Sequence, residues 1–332
     1  MSAPLLRPLF DGPLDILGDI HGEIDALHAL LRRLGYAADG SHAEGRRLIF
    51  VGDLVDRGPD SPSVIALVRR LVENQRAQCV LGNHELNLLL GRRKPDNIWF
   101  FHHELPPGHP AAARPQVWID AQAQDAILRF FADLPLALER PDVRVVHACW
   151  DDATIVLARQ TSRAEALYRA HQARIEDDIR QRALSGSLAT LARQNENPVK
   201  LLTSGPEALA DKPFEAMGQV RHERRVAWWS DYIGPLCVFG HYWRILLPRE
   251  VDGDRLFTGI PLNATLGGGA AMCVDYSVGK RFIERAAPDF AGVFQTRLAA
   301  LRLPERVLFF DERCELQLGT SGQNGAATVR ER

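Results

Sequence analysis

The sequence lacks a long apolar run and an excess of charge of either sign. No window approaches about eighteen consecutive apolar residues, so no membrane-spanning helix is predicted. The opening MSAPLLRPLF has two prolines and a single positive charge, and it does not resemble a signal peptide. The formal net charge of the 332 residues is −2, so membranes and nucleic acid are not the expected partners.

Cysteine is scarce, and no two cysteines form a CxxC motif. This spacing argues against a disulfide scaffold. We therefore expect reduced, mostly buried thiols and, in the absence of a signal peptide, a cytoplasmic protein. The cysteines stand at positions 79, 149, 237, 273 and 314.

The first hundred residues repeat an apolar strand, a turn with glycine and an amphipathic helix. Strands that alternate with helices predict an α/β fold whose chemistry lies at the carboxyl ends of the strands. Residues 1–315 are predicted to form one catalytic domain. Within it, residues 92–120 are expected to be a loop insertion rich in proline and histidine, and residues 155–230 a mainly helical elaboration. Residues 316–332 lack apolar periodicity and are predicted to be a disordered tail.

Polar side chains follow five predicted strands at the point where each strand ends. Because such ends converge on one crevice of an α/β fold, these side chains form a candidate metal site. Imidazole and carboxylate suit Mn, Fe, Zn or Ni, and the set is large enough for two ions that share a bridging carboxylate. The strands at 14–18, 47–51, 78–81, 143–146 and 236–239 lead into Asp19 and His21, Asp53, Asn83 and His84, His147, and His241.

The segments GDIHGE, GDLVDRGP, LGNHE, VHA and FGH occur in this order and resemble the calcineurin-like metallophosphoesterase superfamily. Within it they are most similar to the branch of Ser/Thr protein phosphatases and bacterial symmetrical diadenosine tetraphosphatases. The resemblance implies a four-layer α/β sandwich, with two mixed β-sheets flanked by helices and the metal site at the carboxyl ends of strands. It also implies two divalent ions, with Mn²⁺ expected first. The implied ligands are Asp19 and His21 for one ion, Asp53 as the bridge, and Asn83, His147 and His241 for the other.

Two positions depart from the superfamily pattern. Trp243 replaces the second histidine of the GHxH motif, which is the pattern of the protein-phosphatase branch and counts against a nuclease or phosphodiesterase. Cys149, in VHACW, stands where glycine is usual, so the local loop is expected to differ while His147 is unaffected.

The motif residues that are not ligands suggest a mechanism. Two cations lower the pKa of a shared water, so hydroxide is available near neutral pH to attack phosphorus in line. His84 follows the ligand Asn83 without being one, and it is expected to protonate the leaving alkoxide. Asp56 is expected to hold the His84 ring, as the resemblance also implies. Arg57 is expected to bind two phosphate oxygens through its planar guanidinium.

Three further features are expected to be structural. His102, His103 and His109 lie in a proline-rich stretch that predicts an exposed loop, with a gating loop over the crevice as the alternative. The tryptophans of AWWSDY (227–232) are expected to pack on the core, although they could stack on a nucleobase. The basic cluster RHERR (221–225) is expected to be solvated, although one of its arginines could bind a second phosphate.

The sequence predicts a dinuclear metal-dependent phosphoester hydrolase. A phosphomonoesterase of the protein-phosphatase type, acting on phosphoproteins, is the first expectation, because GNHE is typical of that group. A hydrolase of dinucleotide polyphosphates such as diadenosine tetraphosphate is the alternative, because HGG is lacking and FGHYW favours it. A non-catalytic scaffold is disfavoured because every implied site residue is present.

Overall fold

The computed structural model describes residues 3–216, 219–244, 256–312 and 315–319. Within these ranges the chain folds into two large β-sheets, a small hairpin and helices that pack on the sheets. The strands are β1 (Leu6–Pro8), β2 (Leu14–Leu17), β3 (Arg47–Phe50), β4 (Ala77–Cys79), β5 (Ala137–Glu139), β6 (Val143–Val146), β7 (Glu207–Ala216), β8 (Gln219–Arg225), β9 (Leu236–Phe239), β10 (Ala271–Cys273), β11 (Ala299–Leu303), β12 (Val307–Phe310) and β13 (Glu315–Gln317).

The helices lie mainly between the strands of the first half and in a cluster before β7. None of those in the described ranges has the length and hydropathy needed to cross a membrane. The α-helices are α1 (Ile24–Leu34), α2 (Ser61–Glu73), α3 (Asn83–Leu89), α4 (Ile98–Phe101), α5 (Ala121–Ala132), α6 (Asp152–Gln160), α7 (Ala164–Gln181), α8 (Gly186–Asn195), α9 (Pro198–Ser204) and α10 (Arg281–Ala286).

Both large sheets mix parallel and antiparallel strands. The six-stranded sheet has the order β13-β12-β11-β2-β3-β4, in which β2, β3 and β4 are parallel and the other pairs are antiparallel. The five-stranded sheet has the order β1-β5-β6-β9-β10, in which only β5 and β6 are antiparallel. The prediction of mixed sheets flanked by helices is confirmed.

The central strands bury both of their faces, because successive side chains point to opposite sides of a sheet. In β3, Ile49 joins a hydrophobic layer made by strands of both sheets, whereas Leu48 and Phe50 join the layer that includes the helices. In β9, Val238 lies in the layer between the sheets and Phe239 lies in the layer that includes the helices. This alternation produces the order of a sandwich, with two sheets facing each other and helices outside.

Two predicted segments differ from expectation. Residues 92–120 contain α4 and short 3₁₀ turns at 95–97 and 110–113, so the insertion is more regular than a loop. Residues 155–230 are mainly helical up to residue 204, and β7 and β8 then form a two-stranded hairpin that was not expected. These two strands are rich in charged residues and lack an apolar alternation, so no periodic pattern predicts a strand there.

The predicted tail begins too early. β13 pairs with β12 and buries Leu316, so residues 315–317 belong to the six-stranded sheet. The last thirteen residues of the predicted tail, 320–332, lie outside the described residues.

Candidate metal centre and active site

The loops after β2 and β3 are joined by backbone hydrogen bonds directly below the site. The amides of Ile20 and His21 both donate to the carbonyl oxygen of Asp53, at 3.0 and 2.9 Å. The loop after β9 reaches the same place, since the amide of His241 donates to both carboxylate oxygens of Asp19 at 3.2 Å. The strand ends of both sheets therefore meet in one cluster, as predicted.

Two histidines are oriented by the backbone of the loop after β3. His21 Nδ1 donates to the carbonyl oxygen of Val55 at 3.0 Å, and His147 Nδ1 donates to that of Val51 at 2.7 Å. A histidine whose Nδ1–H is held by a carbonyl presents its Nε2 lone pair to a metal ion. Both Nε2 atoms face Oδ2 of Asp53, at 3.7 and 3.4 Å.

Asp53 lies at the centre of the cluster. Its carboxylate, with ligand atoms of His21 and His84, forms one group of potential metal donors within 4.8 Å of one another. The same carboxylate forms a second such group with His147 and His241. A carboxylate shared by two donor groups has the arrangement that a bridging ligand between two ions needs.

Asp19 and Asn83 complete the predicted set. Asp19 Oδ2 lies 3.8 Å from His21 Nε2, on the side predicted for one ion. Asn83 Oδ1 accepts a hydrogen bond from His241 Nδ1 at 2.8 Å and lies 3.2 Å from His147 Nε2, on the side predicted for the other. The six side chains predicted as ligands are thus brought together.

The electrostatics of this cluster suit divalent cations. Burial, together with the neighbouring carboxylates of Asp275 and Asp53, raises the pKa of Asp19 well above its usual value. Buried carboxylates that repel one another are stabilised by a positive ion placed between them. The donor set of imidazole, carboxylate and one amide oxygen suits first-row transition metals.

His84 differs from the other histidines because its Nδ1 is occupied by a carboxylate. Nδ1 donates to Oδ2 of Asp56 at 2.6 Å, and Oδ1 of Asp56 accepts from Trp99 Nε1 at 2.8 Å. Burial would lower the pKa of His84, but the carboxylates of Asp53 and Asp56 outweigh it and raise the pKa above its usual value. A buried imidazole that favours its protonated form is suited to donate a proton.

Arg57 lies across the rings of the site. Two nitrogens of its guanidinium lie 3.1 Å from His21 Nε2 and 3.2 Å from His84 Nε2. Its Nε lies 3.6 Å from Oδ2 of Asp96, a residue of the insertion. The fork of Arg57 therefore lies between His21, a ligand predicted for one ion, and His84, the predicted proton donor.

Trp243 occupies the position of the missing second histidine, and three cationic side chains surround its ring. The charged ends of Arg57, Arg225 and Lys280 lie 4.8, 5.1 and 5.2 Å from the ring centroid. Arg225 also donates to the carbonyl oxygen of His241 at 3.2 Å. The expectation that RHERR is solvated is therefore wrong for its last arginine, which lies beside the site.

Left-handed backbone is concentrated at the site. A positive φ costs a residue other than glycine about 1–2 kcal/mol, so it persists only where surrounding contacts enforce it. Six of the eleven such residues in the described ranges are site residues, which ties this strain to the site. They are His21, Asp53, Asp56, Arg57, His241 and Trp243.

Sequence reasoning missed two buried carboxylates that hold the loops. Glu85 accepts from the amides of Asp53 and Leu54 at 2.9 and 2.8 Å, and so ties the loop after β3 to α3. Asp275 accepts from the amide of Trp243 at 3.0 Å and lies next to Asp19. Glu85 could have been found within LGNHE, and Asp275 ends an apolar run as the ligands do.

The features set aside as structural mostly behave so. Among the described residues no metal-binding group includes the three histidines of the insertion, and His102 Nε2 instead lies 2.6 Å from the carbonyl oxygen of Ile119. Trp228 and Trp229 are buried in the core, as expected, and Trp229 stacks on Phe239. Cys149 is buried and free, together with the other three described cysteines.

A sandwich of two mixed sheets with carboxylate, imidazole and amide donors at its strand ends defines a class of metal-binding hydrolases. A family model described as calcineurin-like phosphoesterase matches residues 12–242. The chain belongs to this family of hydrolases that act on phosphoester bonds.

Curated relatives match shorter stretches. The chain is 46% identical over 74 residues to an asymmetrical bis(5'-nucleosyl)-tetraphosphatase PrpE of Oceanobacillus iheyensis, a match that covers 21% of this chain and 30% of that protein. It is 34% identical over 152 residues to a symmetrical bis(5'-nucleosyl)-tetraphosphatase of Janthinobacterium sp., which covers 43% and 48% of the two chains. The chain thus spans less than half the length of these relatives.

A solved structure extends the likeness of fold. The serine/threonine phosphatase from Saccharomyces cerevisiae superposes with a TM-score of 0.52 at 16% identity, covering 91% of this chain and 78% of that one. At this identity the similarity supports the fold alone.

Proposed function

We propose that this chain hydrolyses phosphoric ester or anhydride bonds with two divalent metal ions. Asp19 and His21 would hold one ion, and Asp53 would bridge the two. The observation that carries the proposal is the carboxylate of Asp53, whose Oδ2 lies 3.7 Å from His21 Nε2 and 3.4 Å from His147 Nε2, the ring nitrogens of ligands predicted for different ions. The second ion would be held by Asn83, His147 and His241.

The side chains around the ions have separable roles in this proposal. When bound, the two ions supply positive charge for phosphoryl oxygens and a nucleophile near neutral pH. Arg57 and Arg225 would orient the phosphoryl group through their planar guanidinium groups. His84, held by Asp56, would give its proton to the leaving oxygen.

We propose Mn²⁺ as the metal, with Fe, Zn or Ni as alternatives. Imidazole and carboxylate donors suit all of these ions, whereas a magnesium site usually keeps several waters. The core that links both sheets supports the further proposal that residues 1–315 fold as one catalytic domain. The four cysteines within the described residues are buried and unpaired, which is compatible with a cytoplasmic location.

Two substrate classes are supported by different observations. Dinucleotide polyphosphates are supported by the names of the two curated relatives, both bis(5'-nucleosyl)-tetraphosphatases. Phosphomonoesters, including phosphoproteins, are supported by the hydrogen bond between His84 and Asp56. An alkoxide leaving group needs a proton far more than a phosphate leaving group does, so this pair favours an ester.

A side-by-side assay tests the proposal. The manganese-loaded chain is compared on diadenosine tetraphosphate, on a phosphopeptide panel and on p-nitrophenyl phosphate, each with and without a chelator. We expect hydrolysis that the chelator abolishes, and a kcat/KM ratio far from one between the first two substrates. Absence of metal-dependent hydrolysis of all three would refute the proposal.

A further inference from the structure

A small basic cavity lies between the insertion and α10, beside the candidate active site. It has a volume of about 170 Å³ and is lined by Arg57, Pro59, Arg114, Phe282 and Arg285, among others. We call it the insertion pocket. Arg57 belongs both to this pocket and to the metal site, so the two are continuous through one side chain.

The far wall of the pocket is fixed in place by contacts of the insertion. Arg114 donates to Asp96 at 2.7 Å, and its guanidinium lies 3.7 Å from the ring centroid of Phe282. The amide of Val117 donates to the carbonyl oxygen of Pro59 at 2.9 Å, so the insertion is anchored on the loop that carries Arg57. The wall of the pocket is therefore held in place by contacts within the fold.

The charge of the pocket favours an anion. Three guanidinium groups line it, and the acids that pair with them are Asp96 and Glu23. The hydrogen bond to Asp96 takes one of the five N–H donors of Arg114, so the planar fork can still bind an oxyanion. The Nε of Arg57 is buried and makes no hydrogen bond within the described structure.

The size of the pocket limits the anion. Its volume of about 170 Å³ is well below the roughly 300–1,000 Å³ of pockets that hold drug-sized ligands. A phosphoryl group fits such a space.

We propose that the insertion pocket binds a second phosphoryl group of the substrate, next to the phosphoryl group that is hydrolysed at the metal site. Arg57 contacts both groups, and Arg114 binds only the second. This inference rests on the proposed function and deepens it, because it makes a substrate with consecutive phosphoryl groups the preferred one.

Two matched ligands separate this role from a structural one. Binding of methylphosphonate and of methylenediphosphonate to the manganese-loaded full chain is measured by calorimetry, and metal content is determined afterwards. Arg114→Gln should lower the affinity for methylenediphosphonate about tenfold, which corresponds to the loss of one charge-assisted hydrogen bond. The affinity for methylphosphonate should change by less than about twofold. The double variant Arg114→Gln/Asp96→Asn, which leaves no unpaired acid, should behave in the same way.

The control is Arg93→Gln, which changes an exposed arginine of the same insertion and should alter neither affinity. Equal losses for both ligands would assign Arg114 a structural role, and no loss for either would show that the pocket does not take a phosphoryl group. Either result overturns the inference. Hydrolysis of p-nitrophenyl phosphate by the unchanged chain reports on the proposed function separately, since that substrate carries one phosphoryl group.

Discussion

The imidazole of His84 and the carboxylate of Asp56 form a hydrogen bond of 2.6 Å in the interior of the site. The other oxygen of Asp56 accepts from the indole of Trp99, so the carboxylate is held from both sides. Nε2 of His84 consequently faces Asp53, from whose Oδ2 it lies 3.9 Å away. The ring is thus fixed in the orientation that delivers a proton toward the metal site.

Replacing His84 should separate proton donation from metal binding. We expect His84→Asn to lower kcat on an alkyl phosphomonoester by a factor of roughly 10²–10⁴, the usual scale for loss of a general acid. The loss should be smaller on p-nitrophenyl phosphate, whose leaving group needs no proton. Steady-state kinetics and metal analysis check this, and equal losses on both substrates, or a large loss of metal, would contradict the role.

Replacing Asp53 should remove metal and activity together. Asp53→Asn replaces the carboxylate shared by both donor groups with a neutral carboxamide. We therefore expect fewer than two bound metal ions per chain and no measurable turnover. Metal content after dialysis is the measurement. Asp25→Asn changes an exposed carboxylate of α1 and should keep both ions. Two ions held by Asp53→Asn at unchanged affinity would exclude a bridge.

The candidate ligands could be predicted from the sequence because each one follows an apolar run directly. An apolar run such as RLIFV is stable as a buried strand. The polar residue that follows it must then lie at the carboxyl end of that strand. Asp53 and His147 are found where this rule puts them, at the ends of β3 and β6. Because these strands run parallel within their sheets, their carboxyl ends lie close together.

Two supporting residues, Trp99 and Arg225, could not be predicted, because their contacts join segments that are distant in sequence. Trp99 lies in an insertion without a recognisable strand or ligand pattern, yet its indole holds Asp56 across 43 residues. Arg225 ends a hairpin whose polar strands gave no signal. Such contacts depend on how the whole chain packs, and the local periodicity of the sequence does not predict them.

Arg225 should contribute to substrate binding. Arg225→Ala removes a guanidinium beside Trp243 and His241, and we expect KM for a phosphorylated substrate to rise about tenfold or more. Arg224→Ala is the matched control, since the neighbouring arginine of β8 is exposed and adjacent strand residues point to opposite faces. Metal content must stay unchanged, because a loss of metal would mean that Arg225 acts by holding His241.

Lys200 should make stability depend on alkaline pH. Burial, and then the charge of Arg92, lower the pKa of Lys200 to about 8, with Lys94 and Arg193 acting in the same direction and Glu207 opposing them. The unfolded chain, with the usual pKa near 10.4, then binds more protons than the folded chain between about pH 8 and 10.4. The cost of charging Lys200 is therefore full below about pH 8 and disappears above about pH 10.4.

Lys200→Met should remove this cost. We expect the free energy of unfolding at pH 7 to rise by about 1–3 kcal/mol, and the difference from the unchanged chain to shrink between about pH 8 and 10.4. Urea unfolding across this range measures it. Lys212→Met, at an exposed position of β7, should leave stability within about 0.5 kcal/mol at every pH. A difference for Lys200→Met that does not vary with pH would point to packing instead.

A single methyl group on the backbone behind His21 should weaken metal binding. A Cβ at Gly279 would lie 2.2 Å from Cδ2 of His21, closer than side-chain carbons approach other atoms, so the imidazole must move. His21 is also held by Val55 through Nδ1, and the ring cannot move without loosening that bond. We expect Gly279→Ala to lower the affinity for one metal ion by about 10- to 100-fold, as for other changes behind a ligand, while excess Mn²⁺ restores turnover.

Gly319→Ala, where the nearest atom would be 3.7 Å away, is the control. Full activity of Gly279→Ala at limiting Mn²⁺ would show that His21 is not a ligand in the position described.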